Sequence, residues 1–153
     1  MPARTALIDS GLHGGPDMRE FTSAEMSFVR AWAPAMLALP LDLALSLADR
    51  KRRGLFALPS LNTAIVVLTS VDHSPLGDHH RDLLWSAFGV PVFEQLRQSD
   101  GAVIARECEV HDGLHIIDPA HKLCGEIVSD PCACGSETPR LRRVSAFGSS
   151  AIA

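Results

Sequence analysis

The chain has 153 residues, 46% of them hydrophobic and 21% charged, with ten Pro beside eleven Gly, which suits one modest globular body rather than a large multi-domain enzyme. Fourteen Lys and Arg against 18 Asp and Glu leave a formal charge of −4, too little positive field to hold a phosphate backbone, so no nucleic acid is expected as a partner. The start MPARTALIDS lacks a basic stretch leading into an apolar core, and all four cysteines, at 108, 124, 132 and 134, lie in the C-terminal third. A cytoplasmic protein with reduced thiols is expected.

Residues 1–21 hold Gly11, Gly14, Gly15 and Pro16 without a stable period and are expected to form an irregular arm. Gly11-Leu-His-Gly-Gly15 does not match a phosphate loop, which needs a preceding strand, a helix opening directly after it, and a Lys or Ser/Thr in place. A single α/β domain is expected over 22–147, with a helical part at 22–54 and the strands at 62–147, ahead of a flexible tail at 148–153. Thr22 and Glu25 form a capping box, and Met26, Phe28, Val29, Trp32 and Ala33 follow as a helical stripe. The apolar run from Ala31 to Leu47 is interrupted by Pro34, Pro40 and Asp42, which argues against a transmembrane span. Arg50-Lys-Arg-Arg53 then reads either as a solvated basic turn closing short helices or as a contact for an anionic membrane surface.

Thr63 to Thr69 is β-branched and apolar without alternation, as in a strand buried on both faces. Leu76 to Phe88 places Leu76, Leu83, Leu84, Ala87 and Phe88 on one helical face before Gly89, and Val90 to Glu94 reads as another strand. Strand, helix and strand make a right-handed parallel crossover unit. From Ala102 the texture becomes antiparallel, with Asp112-Gly113 as a hairpin signal. Short strands are expected at Glu126–Val128 and from Arg140 to Ser145, on either side of a tight turn at 131–135.

Cys132 and Cys134 flank one alanine and precede Gly135, a turn that can aim two sulfurs at one ion. With a two-residue Asp112-Gly113 turn, Val110 pairs with His115 and Cys108 with Ile117, so Cys108 and His115 share a face while His111 points away. Cys108, His115, Cys132 and Cys134 therefore make a Cys3His set, and a closed four-ligand zinc site of this kind is structural. A three-residue turn would reverse the face, Cys124 could replace one sulfur, and all four thiols could equally be small buried hydrophobes. Asp72-His73 and Asp78-His-His-Arg-Asp82 read as a solvated face rather than a two-metal centre. No G-x-S-x-G occurs, and Cys132-Ala-Cys134 is one residue short of a redox C-x-x-C.

From about Leu76 to Arg143 the chain resembles the phenylacetate-coenzyme A ligase type of adenylate-forming, AMP-dependent acyl-CoA synthetases. Arg81-Asp-Leu-Leu-Trp-Ser-Ala-Phe-Gly-Val-Pro-Val-Phe-Glu94 is similar to that family's helix, Phe-Gly and short strand. Ala105-Arg-Glu-Cys-Glu-Val-His-Asp-Gly-Leu-His-Ile116 resembles its Glu-Cys and Gly-Leu-His hairpin, and Cys132-Ala-Cys-Gly-Ser-Glu-Thr-Pro-Arg140 its Cys-x-Cys-Gly-Arg-Thr-x-x-Arg turn. The resemblance implies activation of an acid with ATP and magnesium, then transfer of the acyl group to coenzyme A. Where the family has aromatic-Gly-x-Thr-Glu, this chain has Leu96-Arg-Gln-Ser-Asp100, so Ser99 and Asp100 are the candidate nucleotide and magnesium residues. No Ser/Thr/Gly-rich phosphate loop is read upstream, and the family's hinge and lid find no match, so transition-state charge lacks a visible stabiliser.

Three functions follow as expectations. The first is a catalytically incomplete ligase-like domain with structural zinc that binds a protein partner, a second copy of itself, or an acyl or coenzyme A ligand. The second is a subunit of an acid–thiol ligase completed by another chain. The third is a membrane-surface adaptor using Ala31 to Arg53.

Overall fold

The computed structural model describes residues 3–119, 123 and 125–143. The fold is mixed α/β and divides into two compact units, one of Met1–Leu68 with Asp78–Val92, the other of Thr69–Gly77 with the chain from Phe93 onward.

The first unit contains strands β1 (Thr5–Ile8), β2 (Met18–Phe21), β3 (Met36–Pro40) and β4 (Ala64–Ser70, whose last two residues belong to the second unit). Its helices are α1 (Met26–Trp32), α2 (Leu41–Arg52) and α3 (Asp78–Phe88). The strands run β2-β1-β3-β4, each parallel to its neighbour. Two expectations are corrected here. The segment 1–21 is not an irregular arm, because β1 and β2 lie within it and the folded body begins before residue 22. All four residues of β1 are buried, and a short run covered on both faces shows no period to detect. The helical part at 22–54 also contains a strand, β3, whose Leu37, Ala38 and Leu39 are buried.

The prolines act at element boundaries rather than as kinks. Helix α1 ends in a left-handed Ala33 (φ 56°) just before Pro34, and Pro40 is the extended N-cap of α2. Strands β3 and β4 are parallel and are connected through α2, which makes β3-α2-β4 a crossover unit. Helices α2 and α3 are joined where Lys51 Nζ donates to the last-turn carbonyl of Ala87 at 2.6 Å and sits 5.8 Å over the Phe88 ring. The neighbouring cations are engaged as well: Arg52 and Arg53 pair with Asp49, and Arg50 lies over Phe56. Among the described residues no helix is long and apolar enough to cross a membrane.

The second unit is antiparallel, with β5 (Val92–Arg97, whose first residue belongs to the first unit), β6 (Val103–Glu107), β7 (Leu114–Ile116), β8 (Glu126–Val128) and β9 (Arg140–Arg142) in the order β5-β6-β7-β9-β8. Leu96, Ile104, Ala105, Leu114 and Leu141 form its core, with Ile116 and Leu123 packed against them. Buried Glu94 accepts from Thr69 Oγ1 at 2.6 Å and Arg143 Nη1 at 3.2 Å, while Arg143 Nη2 reaches the carbonyls of Ser70 and His73. The expected tail at 148–153, and the last strand beyond Arg143, lie outside the described residues.

The hairpin register also differs from the expectation. Arg106 pairs with His115 and Glu107 with Leu114, so six residues, 108–113, connect the strands instead of Asp112-Gly113 alone. Asp112 is drawn towards β9: its carbonyl and Oδ2 accept from Arg140 Nη1 at 2.9 and 2.7 Å, and its Oδ1 accepts from Arg142. His111 (φ 58°) and Gly113 (φ 79°) supply the left-handed residues of this wider loop. A Cβ at Gly113 would stand 3.2 Å from the Leu141 carbonyl oxygen.

Candidate metal centre

Three segments of the second unit converge on one point. Cys108 opens the loop after β6, His115 sits within β7, and Cys132 and Cys134 belong to a turn closed by Gly135 N donating to Cys132 O at 2.9 Å and Cys132 N to Ser136 O at 3.0 Å. Gly135 completes that turn at φ 96°, a conformation that favours glycine. The three Sγ atoms and one imidazole nitrogen all lie within 4.8 Å of one another, a Cys3His group that could hold a metal ion. Among the described residues no second group of three or more such side chains occurs.

The expected ligand set thus comes together although the expected register does not. The shift moved the partner of His115 from Val110 to Arg106, four residues and hence an even number, which keeps His115 on the same face. Cys108, freed from the strand, reaches the cluster from the loop. Cys124 lies outside the described residues.

Two of the six donor separations match those of a tetrahedral zinc site. Zinc–sulfur bonds of about 2.3 Å and zinc–nitrogen bonds of about 2.0 Å imply S···S near ~3.8 Å and S···N near ~3.5 Å. Cys108 and Cys132 sulfurs are 3.8 Å apart, and Cys134 Sγ is 3.5 Å from His115 Nε2. His115 Nδ1 is buried without a hydrogen-bond partner, which leaves Nε2 as the nitrogen turned to the sulfurs. Burial pushes the Cys108 thiol up to about 11. The Cys132 thiol is lowered, first by the backbone N–H of Cys134.

Arg140, 3% exposed, interacts electrostatically with Cys132; its Nη2 also donates to Asp130 O, and its Nε has no partner. Its charge acts favourably on the Cys132 thiolate. The sequence marked Arg140 only through the motif, and Asp112 only as a turn residue. On the solvent side, Cys108 and Cys134 line a cleft of about 390 Å³ together with Arg106, Ile117, Ser136 and Thr138.

The other candidates are placed elsewhere. Ser99 and Asp100 occupy the exposed β5–β6 turn, where Asp100 Oδ1 accepts from Ala102 N at 2.9 Å. That turn and Cys108 are at opposite ends of β6, on the order of 15 Å apart at ~3.3 Å per residue. Asp72, His73, Asp78, His79 and Asp82 are exposed. Gly11–Gly15 does follow a strand, contrary to expectation, but the element after it is β2 rather than a helix.

No protein-family model and no curated protein matches the chain. Solved structures do. An open conformation of 2-hydroxyisobutyryl-CoA ligase in complex with 2-HIB-AMP and CoA superposes with a TM-score of 0.63 at 13% identity, covering 92% of this chain and 44% of that one. The same ligase in its thioesterification state gives a TM-score of 0.62 at 14% identity, covering 92% and 42%. The chain therefore spans less than half the length of the ligase. At such identities the likeness is one of fold, and in fold this chain resembles part of an acyl-CoA ligase of the adenylate-forming family.

Proposed function

We propose that the chain is a catalytically incomplete ligase-like module of the phenylacetate-CoA type, tied by a structural zinc ion at Cys108, His115, Cys132 and Cys134. It acts by binding a protein partner, a second copy, or an acyl or coenzyme A ligand in the cytoplasm. The observation that carries this reading is the match of the 3.8 Å S···S and 3.5 Å S···N separations to tetrahedral zinc. Four protein ligands leave no open position for water, so the ion braces the loop after β6, the strand β7 and the 131–135 turn instead of performing chemistry. No catalytic residue is assigned.

Incompleteness is supported by residues 96–100. Leu96 and Arg97 are buried in β5, and Asp100, the candidate magnesium carboxylate beside Ser99, is engaged in capping its own exposed turn. A second reading, a portion of an acid–thiol ligase completed by another polypeptide, is favoured by the 44% share of the neighbour's length. In that case Ser99 and Asp100 would serve ATP and magnesium, and the acid would be passed to coenzyme A.

The test has two parts. Protein purified without added metal should carry near-stoichiometric zinc, lost in Cys108→Ser and Cys132→Ser; well-folded wild type without zinc would refute the metal reading. The chain alone should give no ATP–pyrophosphate exchange with aromatic or aliphatic acids. Exchange by the chain alone would refute incompleteness, and exchange that appears only with a second polypeptide and disappears in Asp100→Ala would establish the second reading.

A further inference from the structure

Two of the three cysteines of the cluster, Cys108 and Cys134, are partly exposed, and the third is buried. Cys108 and Cys134 line the cleft beside them, whereas Cys132 is 4% exposed and its Sγ lies 3.8 Å from that of Cys108. A partly exposed cysteine with a buried one at contact distance is the arrangement of an attacked and a resolving thiol. Both belong to irregular backbone, Cys108 in the loop after β6 and Cys132 in the 131–135 turn, so closing the gap to a bond of about 2.05 Å does not require a strand to move. Bonding Cys132 to Cys134 instead would close a ring across a single alanine, a far tighter loop.

We propose that Cys108 and Cys132 form a hydroperoxide-driven, reversible disulfide that releases the metal, so that the centre is an oxidation-sensitive clasp as well as a brace. The proposal rests on the zinc reading above for its metal-release half only. Cys108 Sγ attacks one peroxide oxygen, the O–O bond breaks, and the departing oxygen leaves as water or alcohol after taking a proton. The sulfenic acid so formed is attacked by Cys132 Sγ; the S–O bond breaks and the oxygen leaves as a second water, again taking a proton. Two thiolates, one hydroperoxide and two protons thus give one disulfide, one water from the sulfenic oxygen, and one water or alcohol from the peroxide's departing oxygen. The thiol pair loses two electrons and the peroxide gains them. Two sulfur donors are removed from the ion, and Cys134 with His115 remain, half of the tetrahedral set. A dithiol reductant reverses the exchange and restores the site. Arg106, exposed at the cleft rim, adds a positive charge where an oxidised, anionic sulfur would form.

The experiment treats the purified chain with a few equivalents of hydrogen peroxide, following zinc with a chromophoric chelator and mapping disulfides by peptide mass spectrometry. A peptide pair joined through Cys108 and Cys132, appearing in step with zinc release and undone by dithiothreitol plus zinc, is the expected result. Cys124→Ser should behave as wild type, which keeps the test sound even where Cys108→Ser or Cys132→Ser fails to fold. Zinc-loaded protein that yields no such pair, or that joins Cys132 to Cys134, would overturn the proposal. Metal-free protein that still forms the Cys108–Cys132 bond would remove the zinc reading and the release step while leaving the disulfide.

Discussion

Replacing Leu141 by alanine should loosen the Cys3His cluster without touching it. Leu141 is 1% exposed, pairs with Leu114 on one side and Ile127 on the other, and packs with Leu96, Ile104 and Ala105. Removing three carbons forfeits about 2.4 kcal/mol at about 0.8 kcal/mol per methylene. The surroundings cannot collapse far, since a Cβ at Gly125 would already meet Leu141 Cδ1 at 3.0 Å and one at Gly113 its carbonyl at 3.2 Å. A residual void of roughly 50 Å³ adds about 1.2 kcal/mol, for a total near 3.5 kcal/mol. Both tryptophans, Trp32 and Trp85, belong to the first unit, so their fluorescence is a poor probe of this change. Hydrogen exchange of the Leu114–Ile116 and Arg140–Arg142 strands in metal-free protein is the suitable assay. Protection there should fall about 300-fold, at a factor of ten per 1.4 kcal/mol. Metal at about a thousand times its dissociation constant returns about 4 kcal/mol, so loaded Leu141→Ala should exchange nearly as slowly as metal-free wild type. A loss of protection below about tenfold would refute the view that this core holds β7 and β9 in place.

Three further outcomes follow from the same geometry. Hydrogen bonds from Arg140, then Arg142, hold the Asp112 carboxyl below its ordinary range, so it adds stability at pH above its unfolded value of about 3.9 and loses that increment as pH falls through the lowered folded value. Metal-free wild type should therefore lose more stability than Asp112→Asn on acidification from about pH 5 to pH 2, and parallel denaturation profiles would contradict this. Gly113→Ala forces a side chain into φ 79° and against the Leu141 carbonyl, costing about 1–3 kcal/mol; an unchanged melting temperature would mean the loop relaxes freely. Because Lys51, Arg52, Arg53 and Arg50 already have partners within their own unit, the chain should not sediment with anionic vesicles even at low salt, and salt-sensitive binding would revive the membrane-surface reading.

What the sequence determines by itself is local chemistry with a short reach. The Cys-Ala-Cys-Gly turn, the continuous apolar run of β4 and the periodic face of α3 are each written within about a dozen residues, and the corresponding elements stand where they were expected. The Cys3His set was also legible, because an even shift in register leaves His115 on the same face of its strand. Tertiary structure decided the rest. β1 and β3 are covered on both faces and too short to show a period, so only their parallel partners reveal them as strands. The hairpin register was settled by β9: Arg140 and Arg142 take Asp112 away from the two-residue turn that Asp112-Gly113 favours locally, and the charged hydrogen bonds of a third strand outweigh that preference.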